Sequence, residues 1–322
     1  MLCWLISLAV AAQPGLRTVP ITDVPLGARV LAGNPRPEEL DLAWPEPEQA
    51  KWVTLSLDLV KRDGAPVKAE FLRPREWVER NGIVAGAALP IAISELEVEG
   101  NAFVTGITPC PPVAEGPGRV VTGRFVTRDA GNLVRVTLEN GTAIQATDVH
   151  PIWTVDREEW IPAGELVPGQ YVDTLTGPVA VESVERLHSG HDVYNIEVHG
   201  EHVFRVTADG VLVHNACANY RKTFFAVHPS LEGQVVVHHA IEPIVLTKYP
   251  GVLTDAEMHA IDNLRGIPLT INSDIHLSRI RLEWNKFYRT FDMTGLVPTR
   301  QQLLQKAAEI DAMFGSFFTP RT

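Results

Sequence analysis

The chain is 322 residues long, 45% hydrophobic and 21% charged, which leaves room for two ordinary globular domains. Its formal net charge of −11 is uneven: residues 1–215 hold 17 basic and 29 acidic groups (−12), residues 216–322 hold 11 and 10 (+1). A near-neutral second half excludes binding to nucleic acid by bulk positive charge alone, and three scattered cysteines, Cys3, Cys110 and Cys217, exclude a disulfide framework or a structural zinc site.

The chain begins with an apolar run, Met1–Ala12, which resembles a short signal segment without a basic leader. The expected location is therefore the cytoplasm where it is made, with secretion or delivery to another cell as a further step. No stretch reaches the ~20 apolar residues of a membrane span. From residue 53 the pattern is one of short strands. Val53, Leu55, Leu57 and Leu59 alternate with polar residues up to Arg62-Asp63-Gly64, and Val67, Ala69 and Phe71 resume the alternation, predicting a hairpin. Val120-Val121, Val134–Leu138 before the turn Asn140-Gly141, Val181–Val184 and Val193–Val198 continue the series. Pro111-Pro112 and Gly116-Pro117-Gly118 mark a seam where an insertion returns to the main fold. Many short strands with frequent turns predict an all-β unit over residues 1–215.

Beyond Asn215 the periodicity changes. Thr254 with Glu257 forms a capping box opening a helix toward Asn263. Ser273 or Asp274 caps a second helix, whose Leu277, Ile280, Trp284, Phe287 and Tyr288 make one apolar face. A third, about Gln301–Phe314, carries Leu303, Leu304, Ile310, Met313 and Phe314. Residues 216–322 thus read as a small α-rich unit with a strand element.

Cutting a peptide bond without an outside protease needs an internal nucleophile and a proton donor for the leaving nitrogen. Asn215, after the apolar Val211–Val213, can supply its side-chain nitrogen, and His214 can polarise the carbonyl. Thr147-Asp148-Val149-His150 places an imidazole after a strand, with Thr147 to orient it and His202 to assist from a neighbouring strand.

Thr147-x-x-His150-Pro151, Trp160-Ile161-Pro162-Ala163-Gly164-Glu165-Leu166, Val193-Tyr194-Asn195 and Val213-His214-Asn215 together resemble a Hint (hedgehog/intein) domain of the kind that precedes toxins in bacterial polymorphic-toxin and RHS-type proteins. The resemblance implies a pseudo-twofold β fold over residues 1–215, with its core at 18–34 and 118–215 and an insertion at 35–117. It implies an acyl shift at an opening cysteine, here Cys3, although Ser7-Leu8 replace the usual Gly-Thr. It also implies cyclisation of the terminal asparagine, here Asn215.

Phosphodiester hydrolysis needs an activated water, a cation and a base. His238-His239 on a strand present imidazoles to opposite faces, so one can meet a metal while the next faces water. Val237-His238-His239, Asn263-Leu264-Arg265-Gly266-Ile267-Pro268 and His276-Leu277-Ser278 resemble the HNH/endonuclease VII-superfamily nucleases, of ββα-metal fold. The resemblance implies His239 as general base, His238 and His276 as metal ligands, and Asn263 orienting the base, with Asn272 as the second choice. It requires the imidazoles at 238, 239 and 276 to converge on one divalent ion, with Mg²⁺ first and Zn²⁺ or Mn²⁺ as alternatives. His259 reads as a surface residue. Trp284, Phe287 and Tyr288 read as core, and Arg279, Arg281, Lys286 and Arg289 as solvated cations or phosphate contacts. The expected function is a Hint module that cleaves after Asn215 to release a nuclease, with nucleic acid as substrate and an immunity-type inhibitor as partner. The alternative is a non-catalytic cassette, its β half a carrier and its tail a binding domain.

Overall fold

Alternating apolar residues need a second apolar face to cover them, and the first half of the chain supplies it by pairing strand after strand. The protein is seen in a computed structural model that describes residues 7–11, 16–36, 40, 44–61, 64–93, 98–187, 190–215 and 220–321. Trp52–Val60 pairs antiparallel with Pro66–Pro74, Leu55 opposite Phe71, as the alternation predicts. The Val98–Pro109 strand lies along the other edge of Trp52–Val60, with Ala88–Ile93 beyond it. Val53, Leu55, Leu57, Leu59, Val67, Ala69 and Phe71 bury one face against Trp77, Val78 and Phe125.

These strands are not an island. Pro66–Pro74 also pairs with Arg119–Ala130, which pairs in turn with His191–Val198. Arg73 locks the join, its guanidinium bonding both oxygens of Glu197 at 2.9 and 3.0 Å. A second core gathers Val134, Val136, Leu138, Ile144, Ile152, Ile161, Ile196, Val198, Phe204 and Val213 from the remaining strands. Val211–His214 pairs with Val203–Val206 on one side and meets Pro151–Thr154 on the other, Ile152 opposite Val213.

The seam at Pro111-Pro112 closes on Gly27. Gly27 has φ +80°, and a Cβ there would stand 2.6 Å from the carbonyl oxygen of Pro112. Ala114 N–H donates to the Gly27 carbonyl at 2.8 Å and Gly27 N–H to the Val121 carbonyl at 2.9 Å. The two ends of the 35–117 excursion are thereby held side by side, and only glycine satisfies both the turn and the close approach.

The second half of the chain has its own core. Val235–His239, buried along its whole length, pairs antiparallel with Leu264–Pro268, Val237 opposite Gly266. A helical run follows: Asn272–Asp274, a π-turn at Ile275–Ile280, then Arg281–Thr294, ending at Gly295 with φ 68°. Ile280, Trp284, Tyr288 and Phe291 pack on Leu303, Ala307 and Ile310 of the Arg300–Phe314 helix.

Three sequence expectations need correction. The helix after Thr254 spans only Asp255–Met258, because the chain turns back at Ile261–Asn263 to enter the second strand; the Thr254–Glu257 capping box itself forms. The next helix begins at Asn272 without a side-chain cap, following directly on the turn Leu269–Ile271. Leu304 and Met313 are exposed at 43% and 47%, and Ala307 takes the inward position, since the packed stripe is narrower than the apolar residues suggested. The capping box that starts this last helix, Thr299 with Gln302, went unread.

Gly27→Ala is expected to cost about 1–3 kcal/mol, the sum of a disfavoured φ and a backbone contact. Urea denaturation followed by tryptophan fluorescence measures it; an unchanged midpoint would show that the seam is not held there.

Candidate functional site

The end of the Val211–His214 strand is a deeply enclosed polar spot in the first half. Asn215 is 2% exposed. Its N–H donates to the His202 carbonyl at 2.9 Å, carrying the pairing one residue past the strand. Its side-chain Nδ2 donates to the Ile196 carbonyl at 3.0 Å, and Oδ1 is buried with no hydrogen-bond partner among the described residues. The amide is thus held in one orientation away from bulk water, with an acceptor left unsatisfied at a cost that most buried polar groups avoid.

Aromatic rings surround the neighbouring His214. His214 meets the ring of Trp160 edge-on at 4.8 Å, and Trp160 meets Trp153 at 5.0 Å. His202, in a left-handed backbone conformation with φ 55°, lies nearly parallel to His214 with centroids 6.5 Å apart. Thr147 and His150 bracket a tight turn in which His150 N–H donates to the Thr147 carbonyl at 3.0 Å. The Pro162–Glu165 segment closes over it: Ala163 N–H bonds the His150 carbonyl and Gly164 N–H the Asp148 carbonyl, both at 2.8 Å. A side chain at Gly164 would meet Asp148 at 2.8 Å, so glycine permits this approach.

Burial, reinforced by repulsion from His214, lowers the pKa of His150 to about 4. At neutral pH it is an uncharged imidazole, which carries one N–H able to donate. The structure brings His150, His202, His214 and Asn215 into one region, with Thr147 at the far end of the His150 turn. Cys3 lies outside the described residues, as does Ala216 on the far side of the Asn215 peptide bond.

A second cluster sits on the two-stranded sheet of the C-terminal unit. Strand alternation sends His238 and His239 to opposite faces. His238 meets His276 ring to ring, centroids 4.2 Å apart at 61°. His276 stands on the π-turn, a local widening of the helix often found at functional positions. Its Nδ1 donates to Asn272 Oδ1 at 3.1 Å, which leaves the Nε2 lone pair for another use. His238 Nε2 is buried without a hydrogen-bond partner among the described residues. Burial lowers both pKa values, His276 to about 3 and His238 well below the usual range; neighbouring charge, including Arg281, adds to it.

Two neutral imidazoles with an orphaned ring nitrogen fit a divalent ion that accepts nitrogen donors. Among the described residues no group of three or more histidines, cysteines or carboxylates gathers around one point. The expected convergence of three imidazoles on one ion is not met: His238 and His276 meet, while His239 lies on the other face of the strand. His239 turns instead to His259, Nε2 to Nδ1 at 3.0 Å, under the ring of Tyr220 at 4.3 Å. His259, read from sequence as a surface residue, is the group that orients His239. Asn263 does not reach the base. Its Oδ1 accepts from Ile241 N–H at 2.8 Å, and its Nδ2 donates to the Met258 carbonyl at 2.8 Å and the Ile241 carbonyl at 3.1 Å. It braces the loops on either side of the strands. Trp284 and Tyr288 are core, as expected, while Lys286 pairs with Glu283 and Arg279 with Asp274.

No protein-family model matches the chain, and no curated protein matches it. Among solved structures it is similar to a bacterial intein-like domain from Clostridium thermocellum, 20% identical over 51% of this chain and 98% of that one, with a TM-score of 0.28. It is similar to an intein from a hyperthermophile at 12% identity, over 65% of this chain and 95% of that one, TM-score 0.34. The gp41-1 intein is 19% identical over 50% of this chain and 98% of its own, TM-score 0.25. Likenesses of this size carry no residue roles across.

A histidine whose pKa falls on folding stabilises the fold above its unfolded value, near 6.5, and that contribution drains away as the pH drops toward 4. His150→Asn is expected to lose less melting temperature between pH 7 and pH 4 than the parent, measured by circular dichroism melts across that range. Parallel curves would show that His150 is not held neutral by the fold.

Proposed function

We propose that residues 1–215 form a Hint-type module that severs its own chain after Asn215. The observation that carries this reading is the Asn215 amide, 2% exposed and fixed by its Nδ2 bond to the Ile196 carbonyl. Donation to a carbonyl enriches the amide nitrogen, and exclusion of water favours attack by that nitrogen over hydrolysis. Nδ2 bonds to the Asn215 carbonyl carbon and gives up a proton. The bond to Ala216 nitrogen breaks, that nitrogen takes a proton as a free amine, and a succinimide remains. His150, held neutral by burial, and His214 act as hydrogen-bonding groups around the reacting carbonyl.

The C-terminal unit is proposed as a phosphodiesterase of the HNH type acting on nucleic acid. His239, oriented by His259, is the base that takes the proton from water. His238 and His276 would hold a divalent ion, which when bound would stabilise charge on the phosphate. The donor pair is two imidazoles without a carboxylate, which favours Zn²⁺ or another nitrogen-accepting ion over Mg²⁺. An inhibitor partner is expected with such an activity.

Two measurements test the two halves. Purified parent chain is expected to yield two fragments on a denaturing gel while Asn215→Ala stays whole; equal fragmentation in both would defeat the cleavage reading. Incubated with plasmid DNA and with RNA in the presence of Zn²⁺, Mn²⁺ or Mg²⁺, the parent is expected to degrade one substrate and His239→Ala to be slower by about 10²–10⁴-fold. Absence of degradation by the parent with every ion would remove the nuclease reading.

A further inference from the structure

The two units meet through contacts that neither the cleavage chemistry nor the histidine cluster needs. Trp77, on the short helix Arg75–Arg80 of the inserted region, donates its indole N–H to the Lys248 carbonyl at 2.8 Å, and the bond is buried. The Ile244–Lys248 helix lies against the Ala88–Ile93 strand of the same region. Lys248 is a buried cation, its side chain 4% exposed, and Nζ bonds Asp292 at 2.9 Å and faces the Tyr288 ring at 5.3 Å. Arg80 reaches across from the insertion to the same carboxylate, Nη1 to Oδ1 at 3.4 Å. Farther along the helix, Arg281 Nη2 donates to the Leu40 carbonyl at 3.1 Å.

The character of this contact is informative. The apolar cores of the two units stay separate, the 53–125 cluster on one side and the 240–318 cluster on the other. Among the described residues the join includes the Ile244–Lys248 helix against the Ala88–Ile93 strand, a buried indole bond, a carboxylate shared between a cation of each unit, and an arginine on a backbone carbonyl. A join of this kind resembles a docked interface rather than a fused core. Exposed ion pairs contribute little, but here the Trp77 bond is enclosed and Arg80 is 11% exposed, so both groups are desolvated on docking. Each would be left without its partner if the units parted.

We infer that the 35–117 insertion is a docking surface for the chain's own C-terminal unit, through Trp77 and Arg80 on one side and Lys248 and Asp292 on the other, so that severing the chain after residue 215 does not release that unit. Cleavage and release are then separate events, and release requires something that competes for the insertion or for the Lys248–Asp292 face. The contact also keeps Arg281, the cation beside the His238–His276 pair, engaged with the Leu40 carbonyl while the units are docked. None of this depends on which chemistry cuts the chain.

The test supplies the cut from outside. In an Asn215→Ala chain, residues 216–219 are replaced by a recognition sequence for a site-specific protease, and a denaturing gel verifies the cut. At low micromolar concentration and physiological salt the two pieces are expected to elute together from gel filtration, at the volume of the uncut chain. Arg80→Ala leaves the Lys248–Asp292 pair intact, and Trp77→Phe keeps the apolar packing, so neither should unfold either unit; far-ultraviolet circular dichroism of the uncut variants verifies that. Each is expected to weaken the association at least about tenfold, and the double variant to separate the pieces. Pieces of the unaltered interface that elute apart, or variants that stay together as well as it does, would overturn the inference. The result is independent of Asn215 cyclisation, which the Asn215→Ala background abolishes.

Discussion

A polar strand end buried inside a β core is the constraint on which this structure turns. Val211–His214 runs between two neighbours, so its last residue cannot fray into solvent. Asn215 must therefore find internal partners, and it finds the His202 carbonyl for its backbone and the Ile196 carbonyl for its side chain. Those partners stand on separate segments, which makes the orientation of one amide a property of the whole sheet. The close approach of Pro162–Glu165 to the Thr147–His150 turn follows from the same need for enclosure.

Burial also decides the charge of the imidazoles. His150, His238 and His276 all lose the protonated form because no carboxylate offsets their desolvation. In the first half this yields a neutral ring near His214. In the second it yields two rings whose nitrogens are suited to a cation, while strand alternation turns His239 to a different face. The same elementary rule of side-chain direction thus separates His239 from the His238–His276 pair.

Much of the β architecture was legible in local pattern. The Trp52–Pro74 hairpin is written in strict alternation around Arg62-Asp63-Gly64, and the Leu133–Thr147 hairpin in the turn at Asn140-Gly141. The proline seam marked the place where Pro112 closes on Gly27. The grouping of His238 with His276 was also within reach, because motif spacing constrains a strand and the helix after it. What stayed hidden depends on tertiary direction. Nothing local distinguishes an Asn263 that orients a base from one that braces Ile241 and Met258. His259 gains its role only when the chain turns back at Ile261–Asn263, and the π-turn under His276 has no compositional sign. Trp77 and Lys248 are 171 positions apart, so their contact is invisible to any window.

The central claim is that Asn215 itself performs the cut, and the mass of the fragments tests it most directly. If its side chain cyclises, acid-quenched fragments have masses that sum to that of the intact chain, the first ending in a succinimide and the second beginning at Ala216. Fragments whose masses exceed that sum by one water at the earliest time, or whose new terminus lies elsewhere, would contradict it.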